Sequence, residues 1–376
     1  MLYKDFQGTK LSALGMGAMR LPTLDDNDAK IDEAAVAKMV DYAIDKGVNY
    51  FDTAWGYHGG ESEVVMGKTL GKYPRETFYL ADKFPGYDLS NMGKAPAIFE
   101  RQRKKCGVDF FDFYLFHNVC EMNIDAYLNP EYGIHSYLMR QKEADRIRHL
   151  GFSAHGSYDV MKRFLEAYGD TMEFCQIQLN YLDWTFQDAK KKVDLLNEYQ
   201  IPIWVMEPLR GGQLATLPEA DTAKLKTLRP DETTVAWAFR FLESIPNVKV
   251  VLSGMSNFEQ LQENIHTFET ERPLNDREWD ALLHIAEGML RKGTLPCTGC
   301  RYCVSYCPQR LDIPYLLSLY NEHRFTGGGF RAPMALMALP KEKHPGACVS
   351  CGSCEAVCPQ QIKISQAMSD FAALLG

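Results

Sequence analysis

The chain has 376 residues, enough for one large hydrophobic core and a second small unit, because single cores rarely grow far beyond about 250 to 300 residues. Apolar residues make up 46% and charged residues 24%, which is ordinary for a folded globular protein and argues against disordered or fibrous classes. A net charge of −8 without long charged blocks argues against a basic nucleic-acid groove or a polybasic membrane patch.

The start, Met1-Leu2-Tyr3-Lys4-Asp5, lacks the basic residues and apolar stretch of a secretory signal, and no apolar run approaches the roughly eighteen residues of a spanning helix. A cytoplasmic protein is expected, with neither nucleic acid nor membrane as partner. β-Branched or aromatic runs at 12–17, 48–53, 77–81, 111–116, 151–154, 174–179, 202–206 and 249–253 predict strands. Between them, stretches such as 32–46, 61–70, 135–149, 184–199 and 233–243 carry the helical period. Strict alternation implies parallel βαβ units, and eight of them in about 250 residues is the arithmetic of a (β/α)8 TIM barrel, an α/β fold. A doubly wound sheet is the alternative. Its phosphate fingerprint is missing, because Gly15-Met16-Gly17-Ala18-Met19-Arg20 lacks the final glycine and opens no clear helix. A further helical stretch, 276–291, leads into Lys292-Gly293-Thr294-Leu295-Pro296. The expected organisation is a barrel over 1–273, a helical linker over 274–295 and a small, mostly helical module over 296–376.

Eleven cysteines without a signal point to metal binding in a reducing compartment rather than to disulfides. Cys106, Cys120 and Cys175 stand apart and read as small core residues. Cys297, Cys300, Cys303 and Cys307 have the spacing C-x2-C-x2-C-x3-C before Pro308, and Cys348, Cys351, Cys354 and Cys358 repeat it before Pro359. Two-residue gaps let three thiolates wrap one iron-sulfur cube while the fourth cysteine, redirected by its proline, reaches the other. Two 4Fe-4S clusters are therefore expected, one on Cys297, Cys300, Cys303 and Cys358, the other on Cys348, Cys351, Cys354 and Cys307. Paired zinc sites are the weaker alternative. The forty residues between the repeats, with helical character at 311–322 and 332–339, make the module resemble the helical dicluster ferredoxins attached to redox enzymes.

In a (β/α)8 enzyme the chemistry sits at the C-terminal ends of the strands. Asp52, Lys83 and His117 end predicted strands, and Tyr57 follows Asp52 by five residues. An ammonium beside a tyrosine favours phenolate, and an aspartate keeps the lysine charged. Bringing a tyrosine from about 10 towards 7 takes roughly 4 kcal/mol, so the sequence predicts Lys83 close to Tyr57. A neutral His117 would then hydrogen-bond a carbonyl that Tyr57 protonates.

Phe51-Asp52-Thr53-Ala54-Trp55-Gly56-Tyr57, with Gly60-Glu61-Ser62-Glu63 after it, resembles the signature of the aldo/keto reductase family, and the order Asp, Tyr, Lys, His is similar to that family's tetrad over about residues 1–270. The resemblance implies a nicotinamide dinucleotide across the strand ends. It gives Ser153 and Gln176 to the carboxamide, Leu209 and Gly211 to the pyrophosphate, and Ser253, Gly254, Met255, Glu263 and Asn264 to the adenosine end. The chain departs from the family at Ala154-His155, where asparagine usually follows the serine. It departs again where Gly254, Met255 and Gln260 replace basic residues for a 2′-phosphate, which favours NADH over NADPH.

Three functions follow. The first is an oxidoreductase reducing a carbonyl, or oxidising an alcohol, with NAD(P)H, its clusters serving an electron-transfer partner or stability. The second is a barrel holding flavin or another two-electron substrate coupled to ferredoxin-type electron flow. The third is a non-enzymatic redox sensor, against which the intact tetrad argues.

Overall fold

The computed structural model describes every residue except Asp26, Thr298, Cys300, Tyr302, Pro359 and Gly376, with the backbone alone at 292 and 293. The chain divides into two compact units, Met1–Leu283 and His284–Gly376.

The first unit opens with an antiparallel hairpin, β1 (Tyr3–Phe6) and β2 (Thr9–Ser12), which the strand pattern at 12–17 does not reveal. Eight parallel strands then close a barrel: β3 (Leu14–Gly17), β4 (Tyr50–Asp52), β5 (Tyr79–Phe84), β6 (Phe111–Val119), β7 (Ile147–Ala154), β8 (Phe174–Gln178), β9 (Ile203–Met206) and β10 (Val248–Ser253). β10 pairs with β3 to complete the ring. Inward side chains fill the interior rather than lining a pore. Tyr50, Phe113, Phe174, Trp204 and Val250 form one buried cluster, and Phe6 and Leu11 of the hairpin plug it, Phe6 meeting Trp204 edge-on at 5.0 Å. Gly151 is required by this closeness, since a Cβ there would lie 2.5 Å from the Phe174 carbonyl oxygen.

Helices α1 (Glu33–Asp45), α2 (Ser62–Leu70) and α3 (Ala95–Cys106) begin the outer ring. Asp32 caps α1 by accepting from the Ala35 N–H at 3.0 Å. The stretch 135–149 is not one helix: a helix spans Ile134–Glu143, and Ile147 onward is already β7, because the closed barrel claims its β-branched start for a parallel ladder with β6. Likewise 184–199 is broken into Asp183–Phe186 and Ala189–Glu198, with Asp188 at φ 52° between them. A helix over Asp276–Gly293 follows the barrel; near its start Trp279 stacks on Phe241 at 4.4 Å and Glu278 pairs with Arg229 at 2.7 Å.

The second unit is mostly helical, built on Ile313–Thr326, Arg331–Met337 and Ile364–Leu375. Leu316, Leu317, Tyr320, Met368 and Phe371 form its apolar core, against which the described module cysteines pack, Cys351 excepted. Among the described residues no helix is long and apolar enough to cross a membrane.

Candidate active site and cysteine centre

β4 and β5 pair with Asp52 opposite Ala81, so Lys83, two residues on, rises from the neighbouring strand on the same side as Ala81. Its Nζ lies 2.5 Å from Asp52 Oδ1, 2.8 Å from the Thr53 carbonyl oxygen and 3.4 Å from the Tyr57 hydroxyl. Burial alone would lower the Lys83 pKa, but Asp52 and Tyr57 more than reverse this, so Lys83 stays an ammonium. Tyr57 stands on a tight turn, Tyr57–Gly60, in which His58 takes φ 53°. The His58 ring secures that turn, accepting from the Leu21 N–H at 3.1 Å.

His117 lies two residues before the end of the fully buried strand β6, where its register against β7 shifts, and Asn118 adopts φ 60° and donates its N–H to Ser153 Oγ at 2.8 Å. Such bulges re-aim side chains beside sites. The His117 ring meets Tyr57 edge-on at 6.0 Å and Tyr87 at 5.2 Å. Burial, then the Lys83 charge and His155, hold His117 well below its ordinary pKa, so the ring is neutral at pH 7. Its buried Nδ1 has no hydrogen-bond partner, which favours the tautomer with the proton on Nε2.

The structure thus brings Asp52, Tyr57, Lys83 and His117 together at one mouth of the barrel. It corrects one expectation. Tyr57 is raised, not lowered, because burial of the phenol outweighs the Lys83 cation and the Asp52 charge adds to it. The resting group is the neutral phenol. Tyr87, in the loop after β5, and His155 also belong to this site, each beside the His117 ring.

Ser153 and Gln176 are register partners on β7 and β8, both buried, and Gln176 Oε1 is buried without a partner. An orphaned acceptor beside a hydroxyl fits a carboxamide, whose NH2 and C=O need one of each. Leu209 and Gly211 lie on a turn that takes φ 49° at Arg210 and 64° at Gly211; Arg210 is buried, its Nε 3.0 Å from Asp183 Oδ1. Ser253 Oγ accepts from Asn264 Nδ2 at 3.0 Å, and Glu263 Oε1 accepts from Thr233 at 2.8 Å. Met255 is buried as a whole residue. The Gln260 side chain is occupied by the Ser256 N–H at 2.8 Å. Exposed Arg20, from the loop after β3, lies against Gly254, where a Cβ would come within 2.9 Å of its Cγ.

In the second unit Cys307, Cys348, Cys351 and Cys354 line one small pocket, walled by Leu311, Ile313, Ile364 and Met368. The Leu311 N–H points to Cys307 Sγ at 3.5 Å and the Ser350 N–H to Cys348 Sγ at 3.4 Å. Ser353 donates to Cys351 and lowers its thiol, whereas burial pushes Cys354 up to about 11. Four cysteines thus line one apolar-walled pocket, two of them accepting from backbone N–H groups, which is the kind of donor set a thiolate-bound cluster uses. Of the other set, Cys303 is buried, Cys297 and Cys358 are half-buried, and Cys300 lies outside the described residues, as does Pro359. Cys106, Cys120 and Cys175 are buried in the barrel unit.

A parallel eight-stranded barrel with a buried ammonium and imidazole and a half-buried phenol at its strand ends, joined to a cysteine centre, defines a barrel oxidoreductase with an iron-sulfur module. The aldo/keto reductase family model matches residues 13–287, and the chain belongs to that family; a 4Fe-4S dicluster domain model matches residues 296–362. The chain is 28% identical over 214 residues to "Probable aldo-keto reductase 1" of Glycine max, covering 55% of this chain and 58% of that protein's length. It is 23% identical over 288 residues to the "NADH-specific methylglyoxal reductase" of Escherichia coli (strain K12), covering 65% and 85%. The holo form of aldo-keto reductase AKR11C1 from Bacillus halodurans shares the fold, with 23% identity, a TM-score of 0.63 and coverage of 76% of this chain and 96% of that one.

Proposed function

We propose that the barrel, residues 1–273, reduces a small carbonyl with NAD(P)H, or runs the reverse alcohol oxidation, with Tyr57 as general acid. The observation that carries this is the buried Lys83 ammonium, 2.5 Å from Asp52 and 3.4 Å from the Tyr57 hydroxyl, facing a neutral imidazole. Bound NAD(P)H supplies the hydride that adds to the carbonyl carbon. His117 Nε2–H hydrogen-bonds the carbonyl oxygen and Tyr57 O–H gives it the proton. The phenolate left behind is stabilised by Lys83, whose own charge Asp52 maintains. Ser153 and Gln176 orient the nicotinamide carboxamide, the Leu209–Gly211 turn meets the pyrophosphate, and Ser253, Gly254, Met255, Glu263 and Asn264 take the adenosine end. NADH is favoured because Gly254, Met255 and Gln260 offer no charge to a 2′-phosphate, and the E. coli relative's NADH-specific name agrees.

Behind a helical linker, 274–295, the module 296–376 holds two 4Fe-4S clusters that exchange single electrons with a protein partner, exposed Cys351 bringing one cluster to the surface. Thiolate clusters suit the reducing cytoplasm.

The test is anaerobic turnover of methylglyoxal with NADH and with NADPH, following nicotinamide and cluster absorbance together. Tyr57→Phe is expected to abolish turnover and leave the cluster spectrum intact; retained turnover removes Tyr57 from its role. Bleaching of the clusters by nicotinamide alone would require a group that splits the electron pair, such as flavin.

A further inference from the structure

A buried carboxyl pair lies directly behind Lys83, on the opposite face of β5. Asp82 and Glu63 are each 0% exposed. Asp82 Oδ1 accepts from the Lys83 backbone N–H at 2.8 Å and from Gln102 Nε2 at 2.8 Å, and the same Gln102 amide donates to the Lys83 carbonyl oxygen at 2.9 Å. The Tyr114 hydroxyl donates to Gln102 Oε1 at 2.5 Å, which fixes the way the amide faces. Cys106 Sγ approaches Asp82 Oδ2 at 3.8 Å. Glu63 reaches this cluster because α2 packs closely on α3, and Gly67 permits it: a Cβ there would lie 2.5 Å from the Cys106 carbonyl oxygen.

On its far side Glu63 Oε2 pairs with Lys105 Nζ at 2.7 Å, while Glu63 Oε1 is buried with no partner and the two carboxyls adjoin. Lys105 is the cation that faces the pair from α3, and the Lys83 ammonium is turned to the barrel interior. Two ionised carboxylates in contact away from water repel, whereas one proton between them removes the repulsion and gives Glu63 Oε1 the donor it lacks.

We propose that Asp82 and Glu63 share one proton as a hydrogen-bonded acid and carboxylate, and that this pair, with Gln102, grips the Lys83 backbone and so keeps its ammonium on Asp52 and Tyr57. Burial, then the Glu63 charge, pushes the Asp82 carboxyl well up, which agrees with its keeping the proton. Asp82 is then a positioning residue. Its role rests on the reading that Lys83 serves Tyr57.

The experiment uses the full chain prepared without oxygen. The parent-minus-Asp82→Asn infrared difference at pH 8 should contain a protonated carboxylic C=O stretch; its absence overturns the shared proton. In turnover with NADH and methylglyoxal, Asp82→Ala should lose kcat by roughly 10- to 100-fold with KM little changed, as expected for a misplaced catalytic group, and Asp82→Asn should recover most of that loss. Gln102→Met, which releases the Lys83 carbonyl but leaves the pair, gives the same reading should Asp82→Ala not fold. Parent-like kcat in Asp82→Ala or in Gln102→Met overturns the positioning role. A carboxylic band together with a fully active Tyr57→Phe overturns the tetrad reading instead, and the positioning role with it.

Discussion

Lys83 and Asp52 form a buried ion pair, Nζ to Oδ1 2.5 Å, with side chains 1% and 3% exposed. Water contributes little to holding that charge, so Asp52→Asn would leave an ammonium buried without its counter-charge. The expected cost is about 3–5 kcal/mol in denaturant unfolding, with turnover falling alongside. An unchanged unfolding midpoint would show that the ammonium is neutralised by some other group.

His117 is held neutral by burial, the Lys83 charge and His155, so its folded pKa lies below its unfolded value of about 6.5. The stability it contributes is fully present above that unfolded value and is lost as pH falls towards the folded one. Over that window the parent should lose up to about 1.4 kcal/mol per pH unit more than His117→Gln. Parallel stability curves between pH 7 and 5 would contradict a neutral His117.

Arg20 lies against Gly254, at the end of the barrel assigned to the adenosine half of the cofactor. Arg20, exposed and with its stem beside Gly254, is the candidate cation for the 2′-phosphate of NADPH. Arg20→Ala should raise KM for NADPH by roughly tenfold, about 1.4 kcal/mol, and leave KM for NADH nearly unchanged. Equal losses for both coenzymes would assign Arg20 to the pyrophosphate they share.

Cys307, Cys348, Cys351 and Cys354 share one cavity. Cys348→Ser should remove about half of the bound iron and leave nicotinamide binding to the barrel unaltered. Iron content equal to that of the parent would mean that these four sulfurs do not hold a cluster.

Gly67 faces the Cys106 carbonyl oxygen, where a Cβ would stand 2.5 Å away. Gly67→Ala should cost about 1–3 kcal/mol through the forced separation of α2 and α3. A melting temperature within a degree of the parent would show that the two helices have slack between them.

Local and repeating features were legible in the chain. The twice-repeated cysteine spacing named the cluster module, because a cube wrapped by neighbouring thiolates is a local demand. The alternation of strand and helix named the barrel, and the rule that chemistry lies at strand C-termini picked out Asp52, Lys83 and His117. Boundaries were less secure: 135–149 hid the start of β7, since the pairing of Ile147 and His149 with β6 is decided by a strand more than thirty residues away.

What the sequence determined by itself was the order of Asp52, Tyr57, Lys83 and His117 and the twice-repeated spacing of the module's cysteines. What the tertiary structure decided was their state. Lys83 beside Tyr57 predicted a depressed phenol, yet burial reverses the sign, and burial is a property of everything packed around a group. The Asp82–Glu63 pair, the approach of Arg20 to Gly254 and the four cysteines lining one pocket join residues that are not neighbours in the chain. Charge and hydrogen bonding act through space, and only the folded chain sets those distances.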